Sequence, residues 1–127
     1  MRPPARAVRV LVADDHRLFA EALSVILDGE PGVECVGVAV DGREALKKAK
    51  ELQPDVVLMD ISMPVLDGIE ATRRLRRRLP DVAVLVVTGS NAEQDIASAR
   101  AAGAAGYVTK DSIAASLVDA IRDVALK

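Results

Sequence analysis

An uninterrupted apolar run, Val56-Val57-Leu58-Met59, stops at an acid, Asp60. With no polar alternation, both faces of the strand it forms must be covered, as in the centre of a parallel sheet. Parallel strands need crossover connections and carry their chemistry at the carboxyl edge, so Asp60 is placed where open α/β sheets react. The feature recurs. Val8 to Ala13 is apolar apart from Arg9 and ends at Asp14-Asp15, and Val82 to Val87 ends at Thr88-Gly89-Ser90. Val33 to Val40 is mostly apolar, and the short run Gly106-Tyr107-Val108-Thr109 ends at Lys110.

Helical spacing fills the intervals. Leu18, Phe19, Ala22, Leu23 and Ile26 are spaced to form the buried face of a first helix that stops near Asp28-Gly29 and Pro31. Asp41 with Glu44 reads as an N-cap and its capping-box acid, opening a second helix with Ala45, Leu46, Ala49 and Leu52 inward and ending before Pro54. After Pro64 and Asp67-Gly68 a third helix sets Ile69, Thr72, Leu75 and Leu79 on one face, with acids early and arginines late as the helix dipole favours. Ser90 and Glu93 open an Ala-rich fourth helix that closes at Gly103, and Ala114, Leu117, Val118, Ile121 and Val124 mark a fifth.

Strict βα alternation with short connections predicts a doubly wound α/β fold: a five-stranded parallel sheet with five helices on its two faces. The expected strand order is 2-1-3-4-5. In that order the first and third strands meet at the switch point, which brings Asp14 and Asp15 beside Asp60 and turns Thr88 and Lys110 toward the same crevice.

Composition narrows the function. At 127 residues, half of them hydrophobic, the chain fits one domain, with residues 1–7 expected as a flexible arm carrying Pro3-Pro4 and residues 8–127 as the folded unit. A net charge of -2, no Trp, and Phe19 and Tyr107 as the only aromatics argue against nucleic-acid binding by this domain. Arg73, Arg74, Arg76, Arg77 and Arg78 accordingly read as a solvated helix face. Cys35 stands alone, which excludes an internal disulfide and a Cys-based zinc site. No apolar stretch reaches the roughly 18 residues of a membrane span. A soluble, cytoplasmic chain with no membrane partner is expected.

Three crowded carboxylates repel one another and raise each other's pKa unless a cation is present. A hard divalent ion suits them: Mg²⁺, with Mn²⁺ as the alternative, held by Asp15 and Asp60, by Asp14 through water, and by a loop carbonyl. His16 is the one imidazole nearby and reads as a helix-start residue, so zinc is disfavoured. An Asp carboxylate is also a competent nucleophile toward phosphorus, and Asp60 sits centrally, with Lys110 placed to neutralise phosphoryl oxygens from the side opposite the metal.

Asp14-Asp15, Asp60 with Pro64 and Asp67-Gly68, Thr88-Gly89, and Tyr107 with Lys110, in this order at these element ends, resemble the response-regulator receiver domains of two-component signalling. The resemblance spans Val8 to Lys127. Asp14-Asp15-His16 and the segment Gly106 to Asp111 are similar to the subfamily that carries a C-terminal helix-turn-helix DNA-binding domain, which these residues do not include. The resemblance implies a flavodoxin-like fold and a phosphoacceptor, Asp60, charged by a sensor histidine kinase. It further implies Mg²⁺ on Asp15, Asp60 and the Ser62 carbonyl, and Thr88 and Lys110 on the phosphoryl oxygens. Thr88 and Tyr107 would form a switch that alters the face made by helix four, strand five and helix five. The chain would catalyse only its own phosphorylation and dephosphorylation, reach DNA only through the missing effector domain, and dimerise through an outer helix.

Two departures from the family pattern carry expectations of their own. Asp111 stands where many receivers have Pro, so the Lys110-Asp111 peptide is expected to be trans, with Asp111 free to cap helix five. Ser62 and Ser90 are the small residues that in this family help set the access of water. Rival readings are weaker. A flavin module needs a Gly/Ser/Thr-rich loop where Asp14-Asp15-His16 stands, and a phosphatase needs a second acid and a substrate-gripping insertion. A stand-alone or degenerate receiver acting by protein-protein interaction is the remaining alternative.

Overall fold

The structure, a computed structural model, describes residues 7–89 and 93–125. Residues 1–6 of the expected arm and the Ser90 half of the expected capping box lie outside the described residues. Strands and helices alternate throughout: β1 Val8–Ala13, α1 Arg17–Asp28, β2 Val33–Ala39, α2 Gly42–Leu52, β3 Val56–Asp60, α3 Gly68–Arg78, β4 Ala83–Thr88, α4 Glu93–Ala101, β5 Gly106–Thr109 and α5 Ile113–Ala125. A 3₁₀ turn, Lys110–Ser112, leads into α5. The strands pair in parallel in the order β2-β1-β3-β4-β5, as the apolar runs require.

Alternate residues of the central strands feed two cores. Val10, Val12, Leu58, Leu85 and Val87 pack with Leu23 and Leu27 of α1 and Leu117 and Ile121 of α5. Leu11, Val57, Met59, Val84 and Val86 pack with Ala45 and Ala49 of α2, Ala71 and Leu75 of α3, and Ala99 of α4. Every residue of β3 is buried, Asp60 included. A strand covered on both faces is therefore what brings this acid to the rim.

Helix α1 corrects the sequence reading. Its buried residues are Ala20, Leu23 and Leu27, whereas Leu18 is 83% exposed, Val25 71% and Ile26 46%. The helix is apolar on nearly every side, so periodicity alone offers more than one inward stripe. Tertiary packing selects the one carrying Ala20, whose small side chain lets the axis lie close to the sheet.

The helix ends follow local chemistry. Asp41 accepts the Glu44 N–H at 2.8 Å and Asp67 accepts the Glu70 N–H at 2.9 Å, so both are N-caps. Glu44 turns to Lys48 at 3.2 Å. Arg9, the one polar break in β1, donates from Nη1 to the carbonyl oxygens of Leu52 (2.7 Å) and Gln53 (2.9 Å), satisfying the end of α2. Among the described residues Asp111 makes no capping bond to α5: it lies in the 3₁₀ turn, where the hydroxyls of Thr109 and Ser112 are bonded at 2.6 Å. Among the described residues no peptide is cis, so Lys110-Asp111 is trans as expected.

Gly68 joins β3 to α3 at close quarters. A Cβ there would lie 2.0 Å from the Asp60 carbonyl oxygen, a backbone atom that cannot swing aside. Gly68→Ala is therefore expected to cost about 2 to 3 kcal/mol by forcing the strand end and helix start apart. Urea unfolding measures this, and a variant as stable as the parent would show that the junction yields freely.

Candidate functional site

Strand register assembles the site. Ala13 lies opposite Met59 in the β1–β3 pair, so Asp14 and Asp60 leave the sheet side by side. Asp60 is opposite Val87, whose carbonyl accepts the Ile61 N–H at 3.0 Å, and Thr88 follows as the last residue of β4. Thr88 is in turn opposite Thr109, which delivers Lys110 to the same rim. Asp14, Asp60 and Thr88 are each 2% exposed.

The ligand atoms of Asp14, Asp15, His16 and Asp60 all lie within 4.8 Å of one another. Lys110 Nζ is 3.6 Å from Asp14 Oδ2 and 3.7 Å from Asp60 Oδ2, close enough for strong attraction but beyond hydrogen-bonding distance. Asp60 Oδ2 is buried with no hydrogen-bond partner among the described residues. The Asp60 carboxyl is pushed up to about 6, first by burial and then by the charge of Asp14, with Lys110 and the backbone N–H of Ser62 opposing. A buried orphan oxygen among three acids is what a hard divalent cation satisfies, and the oxygen-dominated donor set fits Mg²⁺ or Mn²⁺ better than zinc.

The structure thus brings together Asp14, Asp15, Asp60, Thr88 and Lys110, with Ser62 beside them through its backbone. It does not bring Tyr107 there: the ring is 38% exposed on the β5 edge, beside shallow cavities bordered by α5. His16 stands at the N-cap of α1, as the sequence reading has it, yet it also borders the acids. Its backbone N–H donates to Asp14 Oδ1 at 2.8 Å, and its Nδ1 is 3.1 Å from Asp14 Oδ1 and 3.4 Å from Asp15 Oδ1. Phe19 packs against the core, as periodicity has it, and makes a second contact that periodicity missed. Lys110 Nζ lies 4.8 Å from its ring centroid, so the ring helps fix the ammonium over the acids. The signal was present as an aromatic one turn beyond the Asp14-Asp15 pair.

Fold and rim define a flavodoxin-like α/β domain with an acid-and-lysine crevice at its switch point. The chain belongs to the response regulator receiver domain family, which matches residues 10–122. It is 48% identical over 115 residues to the response regulator GacA of Pseudomonas viridiflava, covering 91% of this chain and 54% of that protein. It is 42% identical over 115 residues to the transcriptional regulatory protein LiaR of Bacillus subtilis, again covering 91% of this chain and 54% of the relative. The chain therefore spans about half the length of the curated relatives it matches. Among solved structures, the receiver domain of the response regulator NarL from Mycobacterium tuberculosis superposes with a TM-score of 0.91 at 36% identity, covering 96% of this chain and 98% of that one.

The raised Asp60 carboxyl has a measurable consequence for stability. In metal-free protein the folded state holds this proton more tightly than the unfolded chain, whose ordinary value is 3.8. Its contribution to stability is therefore intact below about pH 4, falls as pH rises to about 6, and stays low above. Asp60→Asn removes the buried charge and is expected to stabilise the chain at neutral pH by roughly 2 to 3 kcal/mol, with the gain fading toward pH 4. Urea midpoints in EDTA across this range test it. A gain that does not depend on pH would contradict the charge origin.

Proposed function

We propose that Asp60 is the phosphoacceptor of a two-component switch and takes its phosphoryl group from the phosphohistidine of a sensor histidine kinase. The observation that carries this reading is the buried, unbonded Asp60 Oδ2 facing Lys110 at the acid rim. In the transfer, that oxygen bonds to phosphorus as the N–P bond breaks, and the departing electron pair stays on the imidazole nitrogen. Asp15, Asp60 and the Ser62 carbonyl would hold Mg²⁺, with Asp14 acting through water and Mn²⁺ able to substitute. When bound, the ion supplies positive charge to the transferring phosphoryl oxygens. Lys110 draws one of those oxygens from the other side, and the Thr88 hydroxyl binds another.

An apolar strip on α1, formed by Leu18 and Val25 with Ala22 between them, lies exposed on the helix that begins beside Asp15 and His16. It suits the docking of a kinase helix next to the acceptor. After transfer, Thr88 moves onto the phosphoryl group and Tyr107 turns inward, altering the face of α4, β5 and α5. That face then sets homodimerisation and output. The kinship with transcriptional regulators about twice as long supports an output in transcription, with DNA contacted only through a domain these residues do not include. The chain catalyses its own modification in the cytoplasm and acts on no separate substrate.

Incubation with acetyl phosphate and Mg²⁺, read by intact mass, is expected to add one phosphate to the parent chain. Asp60→Asn should stay unmodified, EDTA should abolish labelling, and Lys110→Ala should slow it by at least about tenfold. Equal labelling of the parent and Asp60→Asn would move the acceptor role to another residue.

A further inference from the structure

The cleft between α2 and α3 has a character unlike the acid rim. Arg43 and Lys47 of α2 and Arg74 and Arg78 of α3 line it, and no acid does, in a chain whose net charge is -2. Several other surface cations have acid partners: Lys48 pairs with Glu44, Arg73 with Glu70, and Arg122 with Glu30. In the cleft only Arg74 does, at 3.1 Å from Glu70, whereas Arg43, Lys47 and Arg78 make no ion pair among the described residues. Asp41, Glu44 and Glu51 lie on the far side of Arg43 and Lys47, but inside the cleft like charges outnumber their counter-charges, repel one another and gain from an anion.

The rest of the lining is apolar. Leu46, Val65 and Leu66 complete a groove of about 380 Å³. Val65 is 73% exposed and holds φ at +69°, a conformation a β-branched residue rarely adopts. The Leu66 N–H donates to the Pro64 carbonyl at 2.7 Å across it, which makes a tight positive-φ turn with Val65 at its apex. Gly42 secures this turn from the other side, because a Cβ there would lie 2.0 Å from the Leu66 carbonyl oxygen. The groove is thus built on a constrained loop, with an apolar side chain presented to solvent among four cations.

We propose that this groove docks an acidic segment of a partner protein, with a bulky apolar side chain seated against Val65, Leu46 and Leu66 and carboxylates spread over Arg43, Lys47 and Arg78. A nucleic-acid backbone fits less well. Phosphates offer nothing to the apolar floor, the domain is net acidic, and its two aromatics, Phe19 and Tyr107, line other parts of the surface. The site lies apart from the acid rim and needs no phosphorylation to form.

The probe is a short fluorescein-labelled peptide of Asp and Glu with one central Leu, titrated with the full chain and followed by anisotropy. Saturable, salt-sensitive binding is expected, weakened about tenfold or more by the double variant Arg43→Glu, Arg78→Glu. Both positions are exposed, so the fold should survive, and circular dichroism checks it. Arg100→Glu on α4 should leave binding unchanged, and replacing the peptide's Leu by Ser should weaken it. The proposal is overturned if the double variant binds as the parent does, if the Ser peptide binds equally, if no saturable binding occurs, or if a labelled DNA duplex binds more tightly than the peptide.

Discussion

Repulsion between two buried carboxylates, Asp14 and Asp60, is the constraint on which this structure turns. Each is almost sealed from water, and Lys110 stands near both without bonding closely to either. Left to themselves such groups would spread into solvent or take up a proton. They are kept in place because each ends, or directly follows, a strand buried on both faces. Moving either one would disturb a close-packed core above the sheet and another below it. The energy stored at the rim is therefore held by the packing of the whole domain, and a cation placed among the acids would relieve it locally.

The loop from Asp60 to Gly68 is the second point of leverage. It offers the Ser62 amide to Asp60, turns sharply at Val65, and re-enters the fold at Gly68 against the Asp60 carbonyl. The two glycines that touch it, Gly42 and Gly68, are demanded by close approach of backbone, since neither has a positive φ. One short segment thus borders both the acid rim and the basic cleft between α2 and α3. The two sides of one loop carry opposite charge, acids at the rim and cations along the cleft.

Some of this was legible from residue order. Unalternating runs ending in Asp14-Asp15, Asp60, Thr88 and Lys110 announce strands covered on both faces, and the βα rule then allows few sheet orders. The cap at Asp41 stands where the residue pattern puts it, whereas the cap at Asp67 emerged only with the structure. The inward face of α1 was not legible, because Leu18, Val25 and Ile26 are as apolar as the residues that the sheet buried. Nor was the contact of Phe19 with Lys110, the reach of Arg9 to the end of α2, or the 3₁₀ turn that holds Asp111 ahead of α5. Each depends on how far one element slides along another.

Periodicity is a local property, written into residues a few positions apart. The chain by itself therefore determined which segments are strands, which are helices, and which polar group stands at each strand end. Distances between those groups are not local. The register of β1 against β3, the closeness of Lys110 to two acids, and the outward turn of Val65 over four cations arise from the packing of side chains contributed by the whole chain. Only the tertiary structure could decide them, because the energies that choose one register over another are summed over contacts between residues far apart in sequence.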